Sequence, residues 1–300
     1  MSDTHVTEYV TVGALPAYDQ VREARADAGL LDCVLTTVVV ESLPDGSGFR
    51  IEPGAAPGRE STVVLPTVLP IDAHGEVVHA GDLVGQYAWC LDAADRALRA
   101  LGLSLDAAVT TYDYTTPDTR DVYRRTHRAR KERLGGAGVF PGAGGILMSR
   151  LHAPGVLVAL DVTASRLPLT PVNPGWSRYD TLTYTPGVRA GSTLFMSGFA
   201  ALDMDTQEAL HPGDARAQAE ATYAAIGEVL AAAGGGPEHV VSTLEYLCPE
   251  VDDAVVAGER KTAFGSPGPV ASVAGCAGLL RPEFLLEVFP LAVLPRTVPA

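Results

Sequence analysis

The sequence predicts an α+β fold made of two tandem copies of one unit, each a mixed or antiparallel sheet with two helices on one face. Three observations support this prediction: an internal repeat, the same order of apolar runs and amphipathic segments in both copies, and the chain length. A chain of 300 residues is long for one domain and comfortable for two, and it can bury its cores without disulfides or metal ions.

The repeat is visible as a constant shift between similar residues. His79-Ala-Gly-Asp82 recurs as His211-Pro-Gly-Asp214, 132 positions later. The same shift pairs Glu76 with Glu208, Gln86 with Gln218, Leu98 with Leu230, Gly102 with Gly234, Val109 with Val241, Tyr114 with Tyr246 and Pro117 with Pro249. It then becomes 128, pairing Pro141 with Pro269, Leu151 with Leu279, Pro154 with Pro282 and Leu157 with Leu285. So many matches in one register indicate a duplication.

The repeat divides the chain into four parts. Residues 49–165 and 182–300 are the two copies, and the proline-containing segment 166–181 is predicted to link them. Residues 1–48 precede the first copy. Their apolar run Val34–Val40 and the turn sequence Asp45-Gly46-Ser47-Gly48 predict an added hairpin.

The order of elements is clearest in the second copy. Asp214 is the predicted N-cap of a helix, and Gly234-Gly235-Gly236 ends it. The predicted strands are Thr193–Ser197, Val240–Leu247, Val270–Ala274 and Phe284–Leu291, and the predicted helices are Ala215–Ala233 and Ala254–Phe264. The first copy follows with helices at Leu83–Leu101 and Arg120–Leu134. Because such a unit leaves one sheet face uncovered, we expect oligomers or packing between copies.

Composition excludes several classes of function. The net charge of −14 argues against nucleic acid and anionic membrane surfaces as partners. The amino terminus lacks the pattern of a signal peptide, and no run of 18 apolar residues predicts a membrane span. Four scattered cysteines without a CxxC motif indicate reduced thiols in a cytoplasmic protein. Without HExxH or a comparable motif, neither a metal nor a cofactor is expected.

The second copy resembles the RidA (YjgF) family. The resemblance lies in the stretch from Tyr184 to Gly198, in Gly213-Asp214, and in the final strand Leu286-Glu287-Val288. It implies a chorismate-mutase-like fold, cofactor-free hydrolysis of enamines and imines, and trimers with sites in clefts between subunits. Tyr184, Gly198 and Glu287 match the family's site positions.

The family's carboxylate-binding arginine is missing from both copies. It would fall on Ala271 or Ser272 in the second copy and on Ala143 or Gly144 in the first. The first copy has also lost other site residues, since Pro66 stands in the position of Gly198 and Ala159 in that of Glu287. The resemblance therefore places any working site on the second copy.

Arginines of the first copy are candidates to replace the missing charge. Arg124 and Arg128 lie one turn apart in the basic segment 120–134, and Arg150 ends a predicted strand. Alternatively, these side chains form a solvated surface paired with acids. The stretch Val122–Arg130 is faintly similar to chorismatases, which resemble a doubled unit of this kind.

Three hypotheses about function follow. The first is an enzyme that acts on a small carboxylated imine, enamine or enol metabolite by acid/base chemistry in bacterial specialised metabolism, with Glu287 and Tyr184 as catalytic residues. Gly198, Arg124, Arg128 and Arg150 would then bind the substrate. The second is a non-catalytic protein that binds a metabolite or stabilises a partner, and the third is a chorismatase-like hydrolase or lyase. We expect a homo-oligomer based on trimers or pseudo-trimers.

Overall fold

The computed structural model describes residues 5–54, 61–136 and 138–295, and it confirms the predicted α+β class. The amino-terminal part contains β1 (His5–Thr11), α1 (Tyr18–Asp27), β2 (Val34–Val40) and β3 (Phe49–Pro53). The first unit contains β4 (Thr62–Val64), α2 (Leu83–Ala100), β5 (Ala108–Thr115), α3 (Arg120–Tyr123), α4 (Thr126–Arg133), β6 (Gly142–Leu147) and β7 (Val158–Ser165). After β8 (Leu169–Val172), the second unit contains β9 (Gly187–Ala190), β10 (Thr193–Met196), α5 (Ala215–Ala232), β11 (Val240–Leu247), α6 (Asp253–Phe264), β12 (Val270–Gly275), β13 (Gly278–Leu279) and β14 (Leu286–Val293).

The amino-terminal part forms a three-stranded sheet, and the predicted hairpin is wrong. β1 lies in the middle, parallel to β2 and antiparallel to β3. The segment between β1 and β2 contains α1, which allows a crossover to a parallel strand. β3 therefore pairs with the other edge of β1, and the turn at residues 45–48 joins two strands that are not neighbours.

The two units build mixed sheets with the same central pattern. In the first unit β5 pairs with β6 in parallel and with β7 antiparallel, and in the second unit β11 pairs in the same way with β12 and β14. The sheets are not fully separate, because β13 of the second unit pairs with β6 of the first. Part of the predicted linker is also ordered, since β8 extends the second sheet by pairing with β9.

Helices cover one face of each sheet, as predicted. α2 and α4 pack on the first sheet through residues such as Tyr87, Leu91 and Ala129, and α5 and α6 pack on the second through Ile226 and Val256. The opposite faces meet the amino-terminal sheet in a central core. The central core includes Tyr9, Val38, Tyr114, Ile146, Tyr246 and Phe289. The faces that the helices leave uncovered thus pack in part against each other within one chain.

Each unit contains a buried glutamine whose side chain makes the same pair of hydrogen bonds to the backbone. Gln86 donates from Nε2 to the carbonyl oxygen of Gly155 at 2.9 Å and accepts from the Leu157 amide at 2.7 Å. Gln218 donates to the carbonyl oxygen of Glu283 at 2.8 Å and accepts from the Leu285 amide at 2.9 Å. The glutamines are 132 positions apart and their partners 128, so the contacts reproduce both shifts of the sequence repeat.

The basic segment 120–134 departs from the single helix that was predicted. It forms two short helices, α3 and α4, with a tight turn in which the Arg125 amide donates to the carbonyl oxygen of Val122. None of the helices in the described ranges is long and apolar enough to cross a membrane.

Candidate functional site

A cavity of about 490 Å³ lies between the two units. The first unit contributes residues of α3, α4 and β6, and the second contributes Glu287 of β14 and residues that follow β10 and β13. The segment that joins the units, with a short 3-10 helix at Ser177–Asp180, closes one side. The cavity therefore has walls from both copies and from their connection.

Glu287 projects into this cavity from β14. Side chains alternate along a strand, so Leu286 and Val288 enter the helix-covered core of the second unit, whereas Glu287 faces the first unit. The Glu287 side chain is buried, with 8% of the residue exposed, and it has no hydrogen bond or ion pair to any described residue. Burial and the nearby charge of Asp113 raise the pKa of the Glu287 carboxyl to about 8. At neutral pH this carboxyl group is a proton donor.

Two glycines make room for the carboxyl group. A Cβ atom on Gly198 would lie 2.1 Å from Glu287 Oε1, and one on Gly144 would lie 2.9 Å from the same oxygen. The Gly198 amide donates to the carbonyl oxygen of Ala143, which holds β6 of the first unit against the end of β10. The bare backbone at both positions lets the carboxyl oxygen sit at the boundary between units.

A second buried acid lies behind the cavity wall. Asp113 on β5 accepts hydrogen bonds from the Tyr123 hydroxyl at 2.6 Å and the Tyr87 hydroxyl at 3.2 Å. Burial raises the pKa of Asp113 to about 6, opposed by these hydrogen bonds and by the charge of Arg130. Asp113 was not predicted from the sequence, although the repeat pairs it with Glu245, another buried acid in an apolar strand.

Arg130 ties the first unit to the connecting segment. Its guanidinium is buried and donates to the hydroxyls of Tyr87 and Thr111, both at 2.8 Å, and to the carbonyl oxygen of Thr183 at 3.0 Å. These bonds hold the segment before Tyr184 against α4. Arg130 therefore shapes the cavity wall.

Aromatic rings form the wall beside Glu287. The Tyr184 hydroxyl accepts a hydrogen bond from Arg178 at 3.3 Å, and the Tyr184 ring meets that of Tyr179 edge-on at 5.5 Å. Burial raises the pKa of Tyr184, so its hydroxyl stays protonated at neutral pH. Tyr179 in turn stacks with Trp176 at 5.9 Å. The signal for this wall was the aromatic stretch Trp176-Ser-Arg-Tyr179 in the predicted linker.

The structure brings together four of the six site residues predicted from sequence. Glu287, Tyr184, Gly198 and Arg124 all line the cavity, with Arg124 exposed. Arg128 and Arg150 do not line it, which corrects their expected place. Arg128 points to solvent, where it pairs with Glu132 one turn away, and Arg150 is exposed after the end of β6. The break between α3 and α4 separates the surroundings of Arg124 from those of Arg128.

The position of the missing arginine also lies at this cavity. Ala143 and Gly144 line it opposite Glu287, and Gly144 has no space for a side chain because Phe289 lies 2.1 Å from the site of its Cβ. In the second unit, Ser272 instead donates to Glu52 of β3 at 2.5 Å. The family's usual clamp is thus sterically excluded at Gly144. In the described ranges no group of three or more His, Cys, Asp or Glu side chains is arranged to hold a metal ion.

Comparison with known proteins agrees with this architecture. Residues 179–294 match the Ribonuc_L-PSP family model, described as endoribonuclease L-PSP, which confirms the RidA-type resemblance for the second unit. A crystal structure of a chorismatase is 16% identical, covers 97% of this chain and 94% of its own, and superposes with a TM-score of 0.66, which shows a shared fold over nearly the whole length.

Two single-unit structures cover less of the chain. An endoribonuclease L-PSP homologue from Entamoeba histolytica is 25% identical, covers 42% of this chain and all of its own, and has a TM-score of 0.39. RidA from an Antarctic Psychrobacter is 26% identical, covers 38% of this chain and 90% of its own, and has a TM-score of 0.35.

Proposed function

We propose that the protein is a cofactor-free hydrolase of a small carboxylated metabolite, because residues 179–294 match the Ribonuc_L-PSP family model and contribute Glu287 to the cavity between the units. The reacting group of this substrate is an enol ether, enamine or imine. The observation that carries the proposal is the Glu287 carboxyl, buried and without a partner among the described residues in a cavity lined by arginines.

Glu287 acts in this proposal as a general acid and then as a base. An enol ether or enamine is cleaved after a proton is added to its terminal carbon, which leaves a cation that water attacks. Protonated Glu287 supplies that proton, and the resulting carboxylate takes a proton from the attacking water. The adduct then collapses to a keto acid and the released alcohol or ammonia, and Glu287 has recovered its proton.

The surroundings of Glu287 suit an anionic substrate. Arg124, Arg178 and Arg281 line the cavity, and guanidinium groups bind carboxylates in a planar, two-pronged arrangement. A bound carboxylate also lowers the positive potential near Glu287, which favours its protonated form. Most of the remaining wall is apolar or aromatic, apart from Thr126, His127 and Thr183. Glu287 is itself buried, so water enters as a reactant at a largely desolvated carboxyl group.

The test is release of pyruvate, followed with lactate dehydrogenase and NADH. Chorismate serves as an enol ether substrate and freshly generated 2-aminoacrylate as an enamine. We expect turnover of one of them by the wild type, and a loss of at least about 100-fold in Glu287→Gln. The control Glu220→Gln changes an exposed acid on α5 and should retain full activity. Full activity of Glu287→Gln would exclude the mechanism.

A second candidate is a protein that binds such a metabolite without converting it. The observation in its favour is the closed space at Gly144, which excludes the family's usual clamp. Saturable binding of chorismate by calorimetry, with no pyruvate release at any pH between 5 and 9, would support this alternative.

We propose that the protein is a homo-oligomer based on trimers or pseudo-trimers in the bacterial cytoplasm. We also propose that the first unit spans residues 49–165, the connection 166–181 and the second unit 182–300. Light scattering after size exclusion would measure the mass of the assembly, and a single-chain mass would contradict it.

A further inference from the structure

Arg178 lies in the segment that joins the two units, where the sequence predicted a linker. It belongs to the 3-10 helix Ser177–Asp180 and lines the cavity. Its guanidinium carbon lies 5.2 Å from the centre of the Tyr179 ring, and its Nη2 donates to the Tyr184 hydroxyl at 3.3 Å. Two aromatic rings thus hold the guanidinium in place.

The charge of Arg178 is not neutralised by any described acid within ion-pair distance. Its Nε is buried, and no described residue accepts a hydrogen bond from it. A buried N–H donor without an acceptor is rare in a folded protein, because the group has lost its water without gaining a partner. Several described residues have such an atom, but among the arginines that line the cavity it occurs in Arg178, so this donor is available to an acceptor supplied by a ligand.

The other cavity arginines are less suited to this role. Arg130 is committed to Tyr87, Thr111 and Thr183. Arg281 donates to the carbonyl oxygen of Gln207 at 2.5 Å and lies over Phe284. Arg124 is exposed, so water competes with any anion that it binds.

Arg178 and the proposed acid line the same cavity. Both Tyr179 and Tyr184 are within electrostatic reach of Arg178 and of Glu287. A carboxylate on Arg178 would therefore leave the adjoining carbons of a small ligand in the part of the cavity that contains Glu287.

We propose that Arg178 is the residue that binds the substrate carboxylate, and that the substrate is a flat, conjugated carboxylate packed against the aromatic wall. The inference rests on the proposed function and specifies its substrate class. The carboxylate takes the hydrogen bond of Nε and one from Nη2, and the apolar part lies along Tyr179 and Tyr184. The connection between the copies thus supplies the positive charge that both copies lack at their family positions.

The experiment measures ligand binding, so it tests the role of Arg178 even if no substrate is turned over. Benzoate is the probe, and benzamide is its uncharged isostere. Trp176 stacks with Tyr179 and reports on the site, and Trp89→Phe removes the other tryptophan of the chain. In this background we expect saturable quenching of Trp176 by benzoate, with a Kd at least about tenfold higher in Arg178→Gln and partly restored in Arg178→Lys.

Two controls separate charge recognition from damage to the fold. Benzamide should bind equally to the parent and to Arg178→Gln, since it carries no charge. Arg128→Gln, which changes an arginine outside the cavity, should leave benzoate binding unchanged. An unchanged Kd for benzoate in Arg178→Gln, or no benzoate binding to the parent, would overturn the proposal. Loss of pyruvate release in Glu287→Gln with normal benzoate binding would support both assignments separately.

Discussion

The hydroxyl groups of Tyr114 and Tyr246 lie 2.9 Å apart in the central core, and the two residues are 132 positions apart in the chain. This separation is the shift that relates the two copies, so each tyrosine contacts its own counterpart. Equivalent residues meet in this way near a local rotation axis that relates the two copies. The two sheets therefore pack on each other through equivalent surfaces. The two tyrosine rings also meet edge-on, with their centroids 5.8 Å apart.

The tyrosine pair predicts a double-mutant cycle. Tyr114→Phe and Tyr246→Phe each leave one buried hydroxyl without its partner, and each should lower the free energy of unfolding by about 1–2 kcal/mol. The double variant buries no unpaired hydroxyl, so it should lose less than the sum of the two. Urea denaturation of the four proteins measures the coupling. Strict additivity would mean that the hydrogen bond contributes nothing.

The pKa of Glu287 predicts the pH dependence of activity. The acid works in its protonated form, which dominates below its pKa of about 8. We therefore expect kcat/KM to stay level on the acidic side of this value and to fall about tenfold per pH unit above it, since kcat/KM reports the free enzyme. A rate that rises through pH 8 would identify a general base in its place.

Asp113 should set the pH at which kcat/KM begins to fall, that is, the alkaline limb of the pH profile. Its charge is one of the causes that raise the pKa of Glu287. In Asp113→Asn that charge is gone, so the alkaline limb should move to lower pH. The amide still accepts a hydrogen bond from Tyr123, but it no longer compensates Arg130. Melting curves should accompany the profile, and an unshifted limb in a folded variant would rule out the coupling.

The glycines around Glu287 predict a steric effect on activity. Gly198→Ala places a methyl group where Glu287 Oε1 now lies, so the acid must move and activity should fall at least about 100-fold. Gly227→Ala is the matched control. Gly227 lies within α5 with open space around its Cβ position, and alanine there should stabilise the protein by roughly 0.5–1 kcal/mol with activity retained. Equal activity of the two variants would contradict the crowding around Glu287.

Replacing either of two arginines of α4 should have very different effects on the stability of the protein. Arg130→Met leaves the hydroxyls of Tyr87 and Thr111 without their buried donor, and we expect a loss of roughly 2–4 kcal/mol. Arg128→Met removes an exposed pair with Glu132 and should change stability by less than about 0.5 kcal/mol. Chemical denaturation compares them. Similar losses would mean that the Arg130 network contributes little.

Local sequence patterns were sufficient to predict the repeating unit and part of the site. The helix at Leu83–Ala100 and the strand at Val240–Leu247 were predicted to within one residue, because their apolar spacing and caps are local signals. Glu287 was noticeable as an acid in an apolar strand. The sequence also determined that the arginine of the family is missing, since no cation occurs at Ala143, Gly144, Ala271 or Ser272.

Only the tertiary structure decided which groups surround Glu287. Gly144, Asp113 and Arg178 are far from it in sequence. Gly144 and Asp113 lie near it because two sheets pack face to face through the central core, and Arg178 of the connecting segment lines the same cavity. The same long-range packing separated Arg124 from Arg128 and placed β1 between β2 and β3. Spacing along a chain predicts neighbours within one helix or strand, whereas contacts between distant segments depend on how buried surfaces fit together. The protein's sequence therefore contained the acid, and its fold determined the cavity around it.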